Sequence, residues 1–192
     1  MRTLMACSHG TIDPSSRFRV LQFIPYLEKA GWQVSHRPNR PERSRKLGAA
    51  GTVRKILSSP HGKWMRRVHR QQDLRDAPHF GAIFQNRDLL AGELIWEQRL
   101  IRQNPRLVFD FDDAIFLGEK KQAHIEWICR NAAWVTAGNE YLAGFARRVT
   151  SNVTVLPSVV DTGKYTVKKY SDPQTGPLRL GWMGSSQSIR QT

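Results

Sequence analysis

Short apolar segments alternate with segments of helical periodicity along most of this chain, and no other sequence feature constrains the fold as much. The pattern predicts strands at 3–8, 32–36, 80–85, 106–110, 134–137 and 153–156. It predicts helices at 15–31, 53–57, 64–74, 88–103, 119–131 and 140–148. Ser15 or Ser16 is the predicted cap of the first helix, and Pro25 predicts a kink in it. Such alternation favours a Rossmann-like α/β fold, with a parallel sheet between two layers of helices.

The pattern changes after Pro157, and the change predicts a second domain. Residues 1–165 are expected to form the sheet domain, and residues 166–177, which are rich in turn-forming residues, a linker. Residues 178–183 read as a new strand followed by only nine residues. Because one strand with nothing after it cannot bury either face, we expect residues 178–192 to be the truncated start of a second domain.

Membrane-spanning and secretory segments are not predicted. No run of about 18 uncharged apolar residues occurs, and the apolar stretch before Ser8 is too short for a signal peptide. We therefore expect a cytoplasmic protein, either free or peripheral at the inner membrane face. Cys7 and Cys129 lie within apolar patterns without Cys or His at metal-ligand spacing, which predicts buried reduced thiols and no metal.

The positive charge is the first indication of a partner. The formal net charge is +14, and residues 37–76 contain twelve Lys or Arg against three Asp or Glu. Trp64, Met65 and Val68 are interleaved with these cations, so the segment could lie on an anionic membrane; a solvated cationic surface is the other interpretation. Nucleic acid is disfavoured as a partner, because no recognition-helix, RNA-binding or zinc-finger motif is present.

The first predicted strand opens into a loop with two candidate binding residues, His9 and Gly10. Gly10 allows the backbone to approach a ligand closely, and the following helix carries Arg17 and Arg19, which could hold an anion. An ordinary turn with solvated arginines explains the same residues. The loop has neither the Gly-x-Gly-x-x-Gly pattern of dinucleotide binders nor the pattern of P-loops.

The strongest chemical signal is the carboxylate cluster of Asp110, Asp112 and Asp113, where the strand at 106–110 ends. Such a cluster suits hydrogen bonds to sugar hydroxyls, metal ligation or proton transfer, and a structural role in capping and arginine pairing is the alternative. Side-chain alternation predicts that Asp110 and Asp112 share one face while Asp113 points elsewhere. The run also resembles the nucleophile motif of haloacid-dehalogenase-type phosphatases, although that motif ends the first strand of its fold.

Two later turns complete the candidate sites. Asn139 and Glu140 follow the strand at 134–137, where capping of the next helix explains them as well as ligand binding does. Gly184 and Ser185 follow the strand at 178–183, where free backbone N–H groups could hold a phosphate.

The order of these pieces resembles that of family 4 glycosyltransferases, which have the GT-B fold. The resemblance runs from Leu4 to Ser186 and rests on the motif order across the segments 15–31, 110–114, 138–142, 157–161 and 180–185. It implies two facing Rossmann-like domains, the first binding the acceptor and the second a nucleoside-diphosphate sugar. It also implies retention of anomeric configuration, without a metal or other cofactor.

Carried onto this sequence, the resemblance assigns roles to the candidate residues. The acceptor side would bind substrate through His9, Gly10, Arg17, Arg19, Asn139 and Glu140. Many family members have a His after the strand at 106–110; this sequence has Asp112 and Asp113 there, and we predict these two as catalytic. Gly184 and Ser185 would hold the donor diphosphate.

The sequence therefore predicts hexosyl transfer to a hydroxyl of a glycan or lipid-linked acceptor, in cell-surface glycan or glycolipid synthesis. The isolated chain is expected to be inactive. A basic nucleic-acid-binding domain and a haloacid-dehalogenase-like phosphatase are the alternatives.

Overall fold

A computed structural model of the chain describes residues 2–11, 13–39, 60–167 and 181. The chain divides into two compact units, Met1–Val160 and Asp161–Thr192, and the sheet lies entirely in the first. The strands are β1 (Arg2–Ser8), β2 (Trp32–Pro38), β3 (Ala82–Asn86), β4 (Leu107–Phe111), β5 (Trp134–Ala137) and β6 (Val153–Val155). The α-helices are α1 (Pro14–Arg19), α2 (Ile24–Lys29), α3 (Pro60–Asp76), α4 (Ile95–Gln103), α5 (Glu119–Asn131) and α6 (Glu140–Arg147).

The six strands form one sheet in the order β2-β1-β3-β4-β5-β6, and every neighbouring pair is parallel. The predicted α/β class, the parallel sheet and its Rossmann-like character are confirmed. From β1 the chain first adds β2 on one side and then places β3 on the other. This topological switch point lies between β1 and β3, at the edge where all strands end.

Helices cover both faces of the sheet. Side chains alternate between the two faces along each strand, so both faces have apolar residues to bury. Helices α1 and α2 lie over the face that carries Leu4, Ala6 and Val34. Helices α3 to α6 cover the other face, where the core is largest. The bulkiest fully buried apolar side chains of that core are Met5, Ile83, Leu100, Leu107, Phe109, Phe111 and Ile128.

The first predicted helix is two helices. Asp13, rather than Ser15 or Ser16, caps α1 by accepting a hydrogen bond from the Ser16 backbone N–H at 3.1 Å. A 3₁₀ turn at Leu21–Phe23 separates α1 from α2, and Pro25 lies in the first turn of α2. The chain therefore breaks before Pro25 instead of kinking at it, because proline is tolerated in the first turn of a helix and disfavoured inside one.

Two other helices begin at residues that differ from the predicted ones. The helix expected at 88–103 begins only at Ile95, because Gly92 adopts φ +80° and turns the chain out of helical geometry. Helix α3 begins at Pro60 and not at the predicted residue 64, since proline at the first position loses no helical hydrogen bond. The helix predicted at 53–57 and the strand predicted at 178–183 lie outside the described residues, apart from Gly181.

Both cysteines are free and buried, as predicted. Cys7 is on β1 and Cys129 on α5, and burial raises the pKa of each thiol to about 12.

Candidate functional site

The candidate residues come together at the carboxyl edge of the sheet, around the switch point between β1 and β3. Ligands of open α/β sheets bind outside the carboxyl ends of the strands at such a point. The loops after β1, β3, β4 and β5 all reach this edge.

Asp110 is the buried centre of the edge. It is fully inaccessible, and its carboxylate accepts hydrogen bonds from three side chains, one of which is its ion-pair partner Arg19. Arg19 donates through Nε at 3.1 Å and through Nη2, Asn86 through Nδ2 at 2.8 Å, and Thr136 through Oγ1 at 2.6 Å. Two donors reach each carboxylate oxygen, so both are fully engaged. Asp110 therefore ties α1, β3, β4 and β5 together.

The two arginines predicted to bind substrate have different positions. The side chain of Arg19 is only 2% exposed and donates to Asp110 and to the carbonyl oxygen of Leu156. The guanidinium of Arg19 is thus buried and held by these partners, and a role for Arg19 in substrate binding stays a prediction. Arg17 is exposed on the other side of the helix, and its guanidinium lies 5.8 Å from the centre of the Phe18 ring.

Asp112 and Asp113 differ from Asp110 in that both reach the surface. Asp112 Oδ1 accepts a hydrogen bond from Ser15 Oγ at 2.6 Å, so Asp110 and Asp112 both contact α1, as side-chain alternation predicted. The side chain of Asp113 is 68% exposed and points elsewhere, with Oδ2 3.8 Å from Nη1 of Arg87. The edge thus presents one carboxylate fixed by a hydroxyl and one that is open to solvent.

Arg87 is a site residue that the sequence interpretation missed. It directly follows β3 and has φ +63°, a left-handed conformation that no other non-glycine residue adopts in the described ranges. Its backbone N–H donates to Asp110 O at 2.8 Å, and its carbonyl accepts from Gln85 Nε2 at 3.0 Å. These two bonds hold the strained residue in place. The signal available in the sequence was its position just after a strand, in the run Asn86-Arg87-Asp88.

The loop after β1 lies beside the loop after β3. His9 Nε2 is 3.0 Å from the carbonyl oxygen of Asp88, which links the two loops. Gly10 has φ +136°, so a side chain there would be strained, and its backbone N–H donates to Ser16 Oγ at 3.3 Å. Gly10 is therefore part of the loop's own hydrogen bonding, while His9 remains partly exposed at the edge.

The loop after β5 packs directly on Asp112. A Cβ atom on Gly138 would lie 2.9 Å from the Asp112 Cα atom, so only glycine fits there. Asn139 caps α6, since its Oδ1 accepts a hydrogen bond from the Leu142 backbone N–H at 3.0 Å. Glu140 is exposed and forms an ion pair with Arg147 at 2.6 Å. The capping explanation of Asn139 is confirmed, and both side chains already have partners in this structure.

The remaining predictions concern the donor side and metals. Gly184 and Ser185 lie outside the described residues. Within the residues that the structure describes, no three or more His, Cys, Asp or Glu side chains are grouped so that they could hold a metal ion. None of the described helices is both long and apolar enough to cross a membrane.

No protein-family model matches this chain, and comparisons with curated proteins and with solved structures gave no match either.

Proposed function

We propose that this chain is the acceptor-binding domain of a retaining glycosyltransferase. The observation that carries the proposal is the group formed by His9, Arg87, Asp112 and Asp113. These residues come from three neighbouring loops at the topological switch point, and each side chain is at least partly exposed. Beneath them, the Arg19–Asp110 ion pair fixes the ends of the strands that carry the loops.

The group suits an uncharged, hydroxyl-rich ligand. Carboxylate oxygens accept hydrogen bonds from hydroxyls, and a guanidinium donates to hydroxyl oxygens, so neighbouring hydroxyls of a sugar find both kinds of partner. Asp112 and Asp113 carry two negative charges against the single positive charge of Arg87. A phosphate would be repelled by this balance, which favours a sugar acceptor here and a phosphate-bearing donor elsewhere.

In the proposed reaction the acceptor hydroxyl bonds to the anomeric carbon of the donor sugar, and the bond from that carbon to the phosphate oxygen breaks. The nucleoside diphosphate leaves with the bonding electron pair. The hydroxyl proton must be removed, and a carboxylate within hydrogen-bonding distance can accept it. We assign this role to Asp112 or Asp113, with Asp112 held in one orientation by Ser15.

No observation favours the phosphatase alternative. That chemistry needs an aspartate oxygen free to attack phosphorus, whereas both oxygens of Asp110 accept two hydrogen bonds inside the protein. The nucleic-acid alternative rests on the positive charge alone. The vesicle-binding experiment on α3 includes a test of it.

The test is sugar binding by the 192-residue chain, measured by saturation-transfer difference NMR with a panel of neutral oligosaccharides. We expect one class to bind, and Asp113→Asn to weaken its binding by about tenfold through loss of a charged hydrogen-bond acceptor. Glu28→Gln is the matched control, since it removes one exposed carboxylate from α2. Absence of binding across the panel, or equal binding by Asp113→Asn and wild type, contradicts the proposal.

A further inference from the structure

Helix α3 extends past the carboxyl edge of the sheet. Its C-terminal end leads to His79, whose carbonyl oxygen is 3.5 Å from Thr3 Oγ1 near the start of β1. Arg70, earlier along the helix, reaches the carbonyl oxygens of Arg37 and Pro38 at the end of β2, each at 3.5 Å. The helix therefore runs antiparallel to the strands. The ten residues before Arg70 rise by about 15 Å, toward the edge that carries the candidate site.

This projecting part of α3 has an exposed face, which we call the Trp64 face and define as Lys63, Trp64, Arg67 and Val68. Trp64 is 58% exposed and Val68, one turn later, is 42% exposed on the same side of the helix. Lys63 and Arg67 flank them and are also exposed. Large apolar side chains exposed next to cations are typical of helices that lie on membranes.

The Trp64 face is held in a fixed position by its neighbour. The guanidinium of Arg67 donates to both carboxylate oxygens of Glu93, at 3.1 Å and 2.9 Å, and Glu93 lies in the segment between β3 and α4. Glu93 also accepts a hydrogen bond from Trp96 Nε1 at 3.0 Å. The face is thus attached to the loop region that carries Arg87, and its orientation relative to the candidate site is fixed by the fold.

We propose that the Trp64 face docks on an anionic lipid bilayer. Trp favours the interface between lipid and water, where its ring contacts acyl chains and its N–H contacts head groups, and Val68 extends the apolar contact by one turn. The cations of the face belong to a segment, residues 37–76, with twelve basic and three acidic residues, which complements anionic head groups. Nucleic acid would use the cations and the Trp ring but would gain nothing from Val68.

Docking through this face would hold the domain, and with it the loops that carry His9, Arg87 and Asp113, at the membrane where a lipid-linked acceptor lies. This consequence rests on the proposed function, whereas the docking itself does not and can be measured without any reaction.

The experiment is co-sedimentation of the full 192-residue chain with vesicles of phosphatidylcholine alone or mixed with phosphatidylglycerol. We expect binding to the mixed vesicles that weakens as salt is raised. Trp64→Ala should lower the partition coefficient by about tenfold because the apolar contact is lost. Lys63→Gln with Arg67→Gln should lower it by at least about fivefold through the loss of two charges.

Each variant has a matched control. Trp134→Ala removes a Trp that is 44% exposed at the start of β5, away from α3. Arg130→Gln with Arg148→Gln removes two exposed charges from α5 and the end of α6; Arg148 is paired with Glu126 much as Arg67 is with Glu93. We expect both controls to bind mixed vesicles as the wild type does.

Three results overturn the proposal. Equal sedimentation with neutral and mixed vesicles removes the role of the cations. An equal loss in Trp64→Ala and Trp134→Ala, with both folded by circular dichroism, removes the role of the face. Release of the bound chain from vesicles by a small molar amount of duplex or single-stranded nucleic acid assigns the face to that partner instead.

Discussion

Arg19 and Asp110 form a buried ion pair in which the guanidinium donates to both oxygens of the carboxylate. They are 91 residues apart in the sequence, and the pair joins α1 to β4 directly beneath the candidate site. The acid that most resembles a nucleophile in the sequence is therefore structural. Asp112 and Asp113, which follow on the same segment and reach the surface, are the acids that we propose for substrate.

We predict that Arg19→Ala destabilises the protein by about 3–5 kcal/mol, because it leaves the carboxylate of Asp110 buried without its cation. The measurement is the free energy of unfolding from urea titration. Arg17→Ala, on the exposed side of the same helix, is the control and should change that free energy by no more than about 0.5 kcal/mol. Equal effects of the two substitutions would show that the ion pair contributes nothing beyond helix propensity.

Gly138→Ala tests the close packing beneath Asp112. The added Cβ atom would lie 2.9 Å from Asp112 Cα and 3.1 Å from Asp112 Cβ, so the backbone of one loop must move. We expect a loss of about 1–3 kcal/mol in the free energy of unfolding, together with weaker sugar binding. Gly144→Ala in α6 meets no atom within 4 Å and should stabilise the protein by up to about 1 kcal/mol. The packing argument fails if both variants change stability in the same direction.

Arg87 allows strain and function to be separated. Glycine adopts the left-handed conformation without the cost paid by other residues, so Arg87→Gly should be more stable than Arg87→Ala by about 1 kcal/mol. Both variants lack the guanidinium and should bind the sugar about tenfold more weakly than wild type. Thermal unfolding and the NMR binding assay measure the two effects. Wild-type binding by either variant would remove Arg87 from the site.

His124 and Glu97 predict a pH dependence of stability. Both are buried, with Nε2 of His124 3.6 Å from Oε2 of Glu97. Burial acts to lower the pKa of His124, but the contact with Glu97 and the charges of Glu97 and Asp88 outweigh it and raise that pKa above its ordinary 6.5. The stabilisation by the pair is therefore complete below about pH 6.5 and is lost as the pH rises through the raised pKa.

Urea titrations at a series of pH values measure this dependence. Glu97→Gln keeps an oxygen acceptor for the Leu89 backbone N–H, which donates to Glu97 Oε1 at 2.7 Å, but removes the charge. We expect the free energy of unfolding to fall with rising pH above about pH 6.5 more steeply in wild type than in Glu97→Gln. Identical slopes in the two proteins would contradict the role of the pair.

The two thiols should be unreactive in the folded protein. Cys7 and Cys129 are buried, and burial raises the pKa of each to about 12, so neither accessible thiol nor thiolate is present near neutral pH. Ellman's reagent should detect no thiol in native protein and two per chain in denaturant. Rapid reaction of one thiol in native protein would mean that β1 or α5 opens easily.

Local patterns predicted the side-chain directions after β4 and the cap of α6 better than they predicted the first helix. Alternation along β4 correctly placed Asp110 and Asp112 on one face, and capping preference correctly explained Asn139. The single helix expected at 15–31 was wrong because periodicity does not show whether a proline interrupts a helix or begins a new one. That outcome depends on how the chain packs against the sheet.

The sequence by itself determined the α/β class, the parallel sheet and the edge at which polar residues gather, because these follow from periodicities of two and 3.6 residues and from turn residues. Only the tertiary structure decided which polar residues are available there. Arg19 and Asp110 neutralise each other in the interior, while Arg87 is held at the surface in a left-handed conformation. Burial and pairing between distant segments are properties of the packed chain, and no local pattern contains them.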